Sequence, residues 1–155
     1  MDNPLHAAAG AGGLTPYITV RGAAAAIDFY RKAFGAAELF RLVDPVSGKI
    51  GHCEMRIGKG LLMLSDEYPD FGAVSPETLG GTTVKLHIDV EDAEAVLREA
   101  IAAGGTLLRK LEMQFYGCKQ ALVADPFGYG WFVSQSTETV SPFEMQERWN
   151  AMAKG

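Results

Sequence analysis

The sequence nearly repeats itself at an interval of roughly seventy residues, which is too long for a solenoid repeat and fits a compact supersecondary unit made twice. When the segment that begins at Ile18 is laid over the one that begins at Ile88, small and apolar residues coincide: Val20 with Val90, Ala23 with Ala93, Ala26 with Val96, and Gly35 with Gly105. The repeat therefore predicts two similar half-domains, with a functional site in the cleft between them.

Each half has the pattern of a strand, a helix and three more strands. In the first half, the strand Tyr17–Val20 precedes apolar residues at helical spacing, and Gly35 provides the C-terminal cap. In the second half, the strand Leu86–Val90 is followed by Asp92 as helix N-cap and by Gly104 and Gly105 as the stop. The remaining predicted strands are Glu38–Val43, Ile50–Ile57 and Leu61–Ser65, then Thr106–Leu111, Cys118–Ala124 and Trp131–Ser134. We therefore predict an α+β fold of two tandem βαβββ modules.

The chain is expected to hold one domain at 14–138, between a flexible Ala/Gly-rich arm at 1–13 and a C-terminal helix at 139–155. The arm has no sustained apolar run, so it predicts neither a signal peptide nor a membrane anchor. Within the domain, module one spans about 14–66 and module two about 83–138. The linker loop at 67–82 has prolines and glycines without periodicity, and its place beside a cleft suits a lid.

Composition excludes several kinds of partner. The net charge is −5 and the basic residues are scattered, so the basic patch of a nucleic-acid-binding protein is missing. The sequence also predicts no membrane association. The two cysteines, Cys53 and Cys118, each lie in a strand-like run, which favours buried, reduced thiols and a cytoplasmic protein over a disulfide scaffold.

Four segments together carry a family resemblance: Pro16–Gly22, Ala26–Gly35, His52–Gly58 with Met63–Glu67, and Asp125–Gly128. In order and spacing they resemble the PhnB-like branch of the glyoxalase/bleomycin-resistance/dioxygenase proteins, within the vicinal oxygen chelate superfamily. The resemblance implies curled mixed sheets around a central cleft. Members include metal-dependent lyases, ring-cleaving dioxygenases, fosfomycin-modifying enzymes and metal-free antibiotic binders, so the resemblance constrains the fold more than the chemistry.

The resemblance also implies where catalytic members hold their metal: a histidine on the first strand, a histidine on the matching strand of the second half, and a glutamate on the last strand. Those positions here hold Thr15, Lys85 and Phe132. None is a plausible ligand of a divalent ion, and a lysine ammonium would repel it. We therefore expect no cofactor, with a rearranged divalent metal site at His52, Glu54 and His87 as the alternative.

Strand alternation predicts which side chains face the cleft, because residues two apart share a face. In Ile50–Ile57, the apolar residues Cys53, Met55 and Ile57 suit packing against the helices. The residues expected on the cleft side are Tyr17, Thr19, His52, Glu54, Arg56, Lys85, His87 and Asp89. Aromatic Phe132 and Tyr116 extend the expected wall toward flat or apolar ligands.

Within this set, His52 and Glu54 are spaced to pair, with the carboxylate fixing the imidazole tautomer. A structural ion-pair network or a solvated strand face explains the same residues equally well. Two functions follow. The first is metal-independent binding of a small molecule, with Tyr17, Phe132 and the strand of His52 and Glu54 lining the pocket. The second is a glyoxalase-type lyase, isomerase or dioxygenase with His52, Glu54 and His87 as catalytic residues.

The C-terminal helix has a clear start signal, since Ser141–Glu144 forms a capping box with proline at the first helical position. Its Met145, Trp149 and Met152 fall on one face. That face is expected to dock either on its own domain or across a twofold partner. Proteins that this chain resembles are commonly dimers, so we expect a homodimer.

Overall fold

The computed structural model describes residues 13–155, which form two βαβββ modules and a C-terminal helix, as predicted. The first module contains β1 (Tyr17–Val20), α1 (Ala23–Phe34), β2 (Ala37–Val43), β3 (Ile50–Ile57) and β4 (Gly60–Asp66). A 3-10 turn at Pro69–Phe71 and the short helix α2 (Pro76–Leu79) connect the modules. The second module contains β5 (Lys85–Asp89), α3 (Ala93–Ala102), β6 (Thr106–Gln114), β7 (Cys118–Ala124) and β8 (Gly130–Ser136), and α4 (Pro142–Ala153) follows it. Residues 1–12 of the predicted flexible arm lie outside the described residues.

Each module contributes one four-stranded mixed sheet with the same internal order. The first sheet runs β1-β4-β3-β2 and the second runs β5-β8-β7-β6. The first strand of each module lies parallel to the last one, and the other neighbours are antiparallel. The sequence duplication is therefore a duplication of topology, in which β1 and β5 are both edge strands.

The helices α1 and α3 pack against each other, and the core forms between them and the sheets. Cys53 and Met55 are fully buried in this core, as strand alternation predicts for β3. In the second sheet, Val123 of β7 and Trp131 and Val133 of β8 are buried in the same core. Burying a side chain of this size stabilises the folded state by roughly 1.5–3 kcal/mol, so this layer holds the modules together.

The helix boundaries have the causes that the sequence predicts. Gly35 ends α1 with φ 63°; its N–H donates to the Arg31 carbonyl, and the N–H of Ala36 donates to the Tyr30 carbonyl. The Asp92 side chain caps α3 by accepting from the N–H of Ala95. Ser141 caps α4 in the same way.

The linker is more ordered than the predicted loop at 67–82. Ser75 accepts a hydrogen bond from the N–H of Thr78, and Pro76 occupies the first turn of α2. The Glu67 carboxylate accepts from the N–H of Ser75 at 2.8 Å and from the Thr78 hydroxyl. A helix this short has no apolar periodicity, so only the serine-proline start signal could have indicated it.

Candidate functional site

Three side chains of the first sheet form a hydrogen-bonded chain from the surface into the interior. The Tyr17 hydroxyl lies 3.0 Å from Nδ1 of His52, and Nε2 of His52 lies 3.3 Å from Oε1 of Glu54. Tyr17 is 51% exposed, the His52 side chain 14% and Glu54 0%. The three residues come together because β1 and β3 both flank β4, where Met63 pairs with Tyr17 on one side and Glu54 on the other.

The second carboxylate oxygen of Glu54, Oε2, is buried and has no hydrogen-bond partner among residues 13–155. Leaving a buried polar group unpaired costs about 1–3 kcal/mol, and more when the group is charged. Unpaired buried polar groups are rare in native proteins, and functional sites are where such local costs are expected. Glu54 is therefore the residue of this sheet whose position packing alone explains least.

The direction of these hydrogen bonds depends on the tautomer of His52. In the tautomer that carries the proton on Nε2, His52 donates to the Glu54 carboxylate, and Nδ1 accepts a hydrogen bond from the Tyr17 hydroxyl. This arrangement allows His52 to act as a general base toward the half-exposed phenol, with Glu54 orienting the ring.

The other residues predicted on this face do not join the chain. The Thr19 carbonyl accepts a 3.0 Å hydrogen bond from the Tyr129 hydroxyl. Arg56 pairs with Leu61 in the β3–β4 ladder, and its side chain is exposed. Thr19 lies on the same strand as Tyr17, and Arg56 lies on the same strand as His52 and Glu54. Neither side chain hydrogen-bonds to these three residues.

The residues predicted from the second module form a separate group. Nε2 of His87 lies 3.1 Å from Oδ1 of Asp89, and its ring centroid is 6.3 Å from that of Phe132. The Tyr116 hydroxyl donates to Oε1 of Gln120 at 2.8 Å, while Lys85 is exposed. Within residues 13–155, no hydrogen bond joins this group to Tyr17, His52 or Glu54. The structure thus brings three of the expected site residues together and leaves His87 on the other sheet.

The residues at the metal-ligand positions do not fit a divalent ion. Lys85 is exposed, and Phe132 pairs with His87 in the β5–β8 ladder. In the described part of the chain, no three histidine, cysteine, aspartate or glutamate side chains lie close enough to hold a metal ion. The set His52, Glu54 and His87 therefore does not assemble into the rearranged metal site considered as an alternative.

A cavity of about 940 Å³ lies between the modules, bounded by the β3–β4 turn and by strand β5. Its apolar wall includes Phe34, Ile57, Leu61, Leu62, Leu86 and Trp131. Polar groups are few and include Lys59, His87, Asp89 and Glu91. The cavity lies between the modules, where the duplication predicts a cleft, but only His87 and Asp89 of the residues expected on the cleft side line it.

Sequence reasoning missed most of the cavity lining because it placed the cleft on the opposite strand face. Its assignment of Leu86 and Ile88 to the core is confirmed, since Leu86 is buried in the core and Ile88 packs against it, but both residues also line the cavity. Both residues reach the cavity because β5 is an edge strand. The sequence held one indication of this lining. The turn Gly58–Gly60 of the first module is shorter than the Asp125–Gly128 segment at the same point of the second module.

Across residues 13–155, no helix is both long enough and apolar enough to span a bilayer.

Solved structures share this fold. A structure of protein PA1353 from Pseudomonas aeruginosa matches with a TM-score of 0.67 and 22% identity, over 83% of this chain and 100% of that one. The genomically encoded fosfomycin resistance protein FosX from Listeria monocytogenes matches with a TM-score of 0.63 and 10% identity, over 88% of this chain and 98% of that one. At these identities, the likeness is one of fold alone.

Sequence comparison identifies the family. An uncharacterized protein from Mycobacterium bovis is 39% identical over 145 residues, which cover 92% of this chain and 95% of the relative. A family model described as the Glyoxalase/Bleomycin resistance protein/Dioxygenase superfamily matches residues 5–133. Together with the paired βαβββ sheets, this match shows that the chain belongs to the glyoxalase/bleomycin resistance protein/dioxygenase superfamily.

Proposed function

We propose that this protein binds a small organic molecule in the cavity between its two modules, without the standard divalent metal of the superfamily. The observation that carries the proposal is the cavity itself. Its volume of about 940 Å³ falls in the range of sites for drug-sized ligands. Such sites combine apolar walls with a few polar groups that orient the ligand. Here Trp131 and Leu86 belong to the apolar wall, and His87 and Asp89 are among the polar groups.

The experiment is a thermal-shift screen with a matched pair of variants. A ligand at a hundred times its dissociation constant stabilises the folded state by about 2.7 kcal/mol. Leu61→Trp adds bulk to a half-buried cavity wall and is expected to abolish the shift. Val46→Trp adds the same bulk at an exposed turn residue outside the cavity and is expected to keep it. A ligand that stabilises both variants equally contradicts the proposed location.

We propose acid–base catalysis as a second candidate function, favoured by the hydrogen-bonded chain of Tyr17, His52 and Glu54. In this role the protein is a glyoxalase-superfamily lyase, isomerase or dioxygenase, with His52 as base and Glu54 as its orienting carboxylate. His87 serves as a further polar group from the second module. The half-exposed Tyr17 hydroxyl is then the end of the chain that meets a substrate.

The catalytic candidate is tested by incubating each ligand from the screen with the protein and following its conversion by mass spectrometry. His52→Gln and Glu54→Gln keep approximate shape and remove the base or the negative charge. Conversion that drops at least tenfold in both variants, with ligand binding retained, supports catalysis. Unchanged ligand in the presence of the native protein supports the binding function alone.

The remaining expected contacts belong to the same proposal. Tyr17, Thr19 and Arg56 from the first sheet are proposed to contact the parts of a ligand that extend beyond the cavity. Lys85, Phe132 and Tyr116 are proposed to do so from the second sheet, where Phe132 lies beside His87. Alanine variants of these residues are expected to weaken ligand binding.

We also propose that the protein belongs to the PhnB-like branch of the superfamily and is located in the cytoplasm. Its domain consists of module one at 14–66, a linker at 67–82 and module two at 83–138.

We further propose that the protein forms a homodimer. Helix α4 has no buried residue, and it exposes Phe143, Trp149 and Met152. Exposed aromatic residues on one element are typical of an interface. Sedimentation of the native protein and of Trp149→Glu tests the dimer, because an interfacial charge shifts the equilibrium to monomer.

A further inference from the structure

Strand β5 turns an unpaired backbone edge toward the cavity. It lies at the end of the sheet and pairs only with β8 among the described strands. The N–H of Val90 donates to the Ser134 carbonyl at 2.8 Å, which sets the orientation of the strand. Because backbone groups alternate sides along an extended chain, those of Leu86 and Ile88 also point toward β8. Those of His87 and Asp89 therefore point away from the sheet.

The cavity runs along this free edge. Six consecutive residues, from Leu86 to Glu91, contribute to its wall. Successive side chains of a strand point to opposite faces, so a cavity above one face would touch only every second residue. Contact with the whole run places the cavity beside the backbone, where the N–H and C=O groups of His87 and Asp89 are available.

The equivalent edge in the first module is covered. Under the internal repeat, Thr19 corresponds to Asp89. Tyr129 comes from the β7–β8 turn, which is longer than the β3–β4 turn that lines the cavity together with Asp89. The Tyr129 hydroxyl donates to the Thr19 carbonyl at 3.0 Å and so occupies the edge of β1. Lys59 and Asp89 both line the cavity, but no hydrogen bond or salt bridge joins them in the described part of the chain. The two modules thus differ where a ligand could reach a backbone edge.

We propose that the cavity takes a peptide-like small molecule, whose amide bonds pair with the free edge of β5. This inference rests on the proposed binding function and names the chemical class of its ligand. An extended amide chain presents N–H and C=O groups at the spacing that His87 and Asp89 require. Alternate substituents of the chain then point to opposite sides, one of them the apolar wall formed by Phe34, Leu62 and Trp131.

The dimensions favour a short ligand over a protein partner. The strand has five residues, and the cavity beside it holds about 940 Å³. The opposite wall comes from the β3–β4 turn of the same chain, with Ile57 and Leu61. A pocket closed on that side admits a few amide units, whereas a long strand of another protein needs an open edge.

The ligand arm of the test uses the capped tripeptide N-acetyl-Val-Leu-Val-amide and analogues that carry one N-methyl group each. Methylation removes a single N–H and changes nothing else in the sequence. The affinity measured by calorimetry is expected to fall about tenfold for amides that face β5, since one hydrogen bond is lost and a methyl group intrudes. It is expected to stay nearly constant for the amides between them. Equal affinities across the series, or no binding of the parent peptide, overturn the proposal.

The protein arm uses His87→Pro with His87→Ala as its control. Proline is tolerated on an edge strand where the N–H points away from the sheet, so His87→Pro is expected to fold and to lose at least tenfold in peptide affinity. His87→Ala loses the imidazole but keeps the N–H, so it is expected to lose clearly less affinity than His87→Pro. Equal weakening in both variants assigns the effect to the imidazole and overturns backbone pairing.

The two arms separate this inference from the cavity proposal. If Leu61→Trp abolishes ligand binding while methylated and unmethylated peptides bind alike, the cavity stands and the pairing with β5 fails. If His87→Pro does not fold, the methylated series still decides, because it uses the native protein throughout. Peptide binding that Leu61→Trp leaves intact overturns both.

Discussion

The Tyr30 hydroxyl donates a 2.6 Å hydrogen bond to Oδ2 of Asp125, and this contact joins α1 of the first module to the β7–β8 turn of the second. The indole N–H of Trp131 donates to the same oxygen at 2.9 Å. The backbone N–H groups of Phe127 and Tyr129 donate to Oδ1 at 2.9 Å each. The buried carboxylate thus accepts four hydrogen bonds, so the Asp125–Gly128 motif has a structural role.

Tyr30→Phe is expected to lower the free energy of unfolding by about 1–3 kcal/mol, because a buried carboxylate oxygen loses one of its two donors. Urea denaturation measures the change. Tyr116→Phe is the matched control, since that hydroxyl bonds to the half-buried Gln120 and its loss is expected to cost less. Equal losses in the two variants would contradict a special role for the contact between the modules.

Replacing His52 and Glu54 together, as His52→Phe with Glu54→Met, is expected to raise the melting temperature. The double variant removes the carboxylate with the unpaired oxygen together with the imidazole that hydrogen-bonds to it. Replacing both members of a buried polar pair by well-packed apolar groups is often neutral or stabilising by about 1–4 kcal/mol, whereas removing one member leaves the other without its partner. Differential scanning calorimetry checks this, with Glu54→Met alone as the control that is expected to be less stable than the double variant. A double variant less stable than the native protein would show that the pair supports the fold rather than a function.

The Cys53 thiol is expected to resist alkylation in the folded protein. Burial, with a smaller contribution from the nearby Glu38 carboxylate, raises its pKa to about 12, so the reactive thiolate is scarce at neutral pH. A Cys118→Ala variant isolates the reaction of Cys53, which mass spectrometry follows with iodoacetamide. In the folded Cys118→Ala variant, Cys53 is expected to stay unmodified, and in the urea-unfolded variant it is expected to react fully. Rapid alkylation without denaturant would mean that the core opens at β3.

Glu67 predicts a loss of stability in acid. Hydrogen bonds from Ser75 and Thr78, then the charge of Arg21, lower the pKa of Glu67 to about 2. Because the folded-state pKa is the lower one, the stabilisation is present above the unfolded value near 4.5 and disappears as the pH falls toward 2. The melting temperature of the native protein is therefore expected to approach that of Glu67→Gln across this range. A constant difference between them would contradict the linkage.

The fold could be predicted because its helices and strands follow from local sequence patterns. Apolar spacing set α1 and α3, and Gly35 and Asp92 marked helix ends that the structure shows. Strand alternation placed Cys53 and Met55 in the core. The pair His52 and Glu54 was visible for the same reason, since the backbone of one strand brings residues two apart onto one face.

The rest of the candidate site depends on the order of strands, which a single sequence does not display. Tyr17 reaches His52 because β4 lies between their strands, whereas His87 was expected beside them and lies on the other sheet. The cavity lining was missed for the same reason, because nothing in Leu86 or Ile88 indicates that β5 is an edge strand.

The sequence by itself determined the two modules, the faces of their strands, and the absence of imidazole and carboxylate groups at Thr15, Lys85 and Phe132. These properties depend on neighbouring residues and on backbone geometry. Only the tertiary structure decided that Oε2 of Glu54 has no partner in the described chain, and that Tyr129 covers the edge of β1 while that of β5 borders a cavity. Those outcomes depend on packing between segments far apart in the chain, where small differences in turn length decide which groups meet.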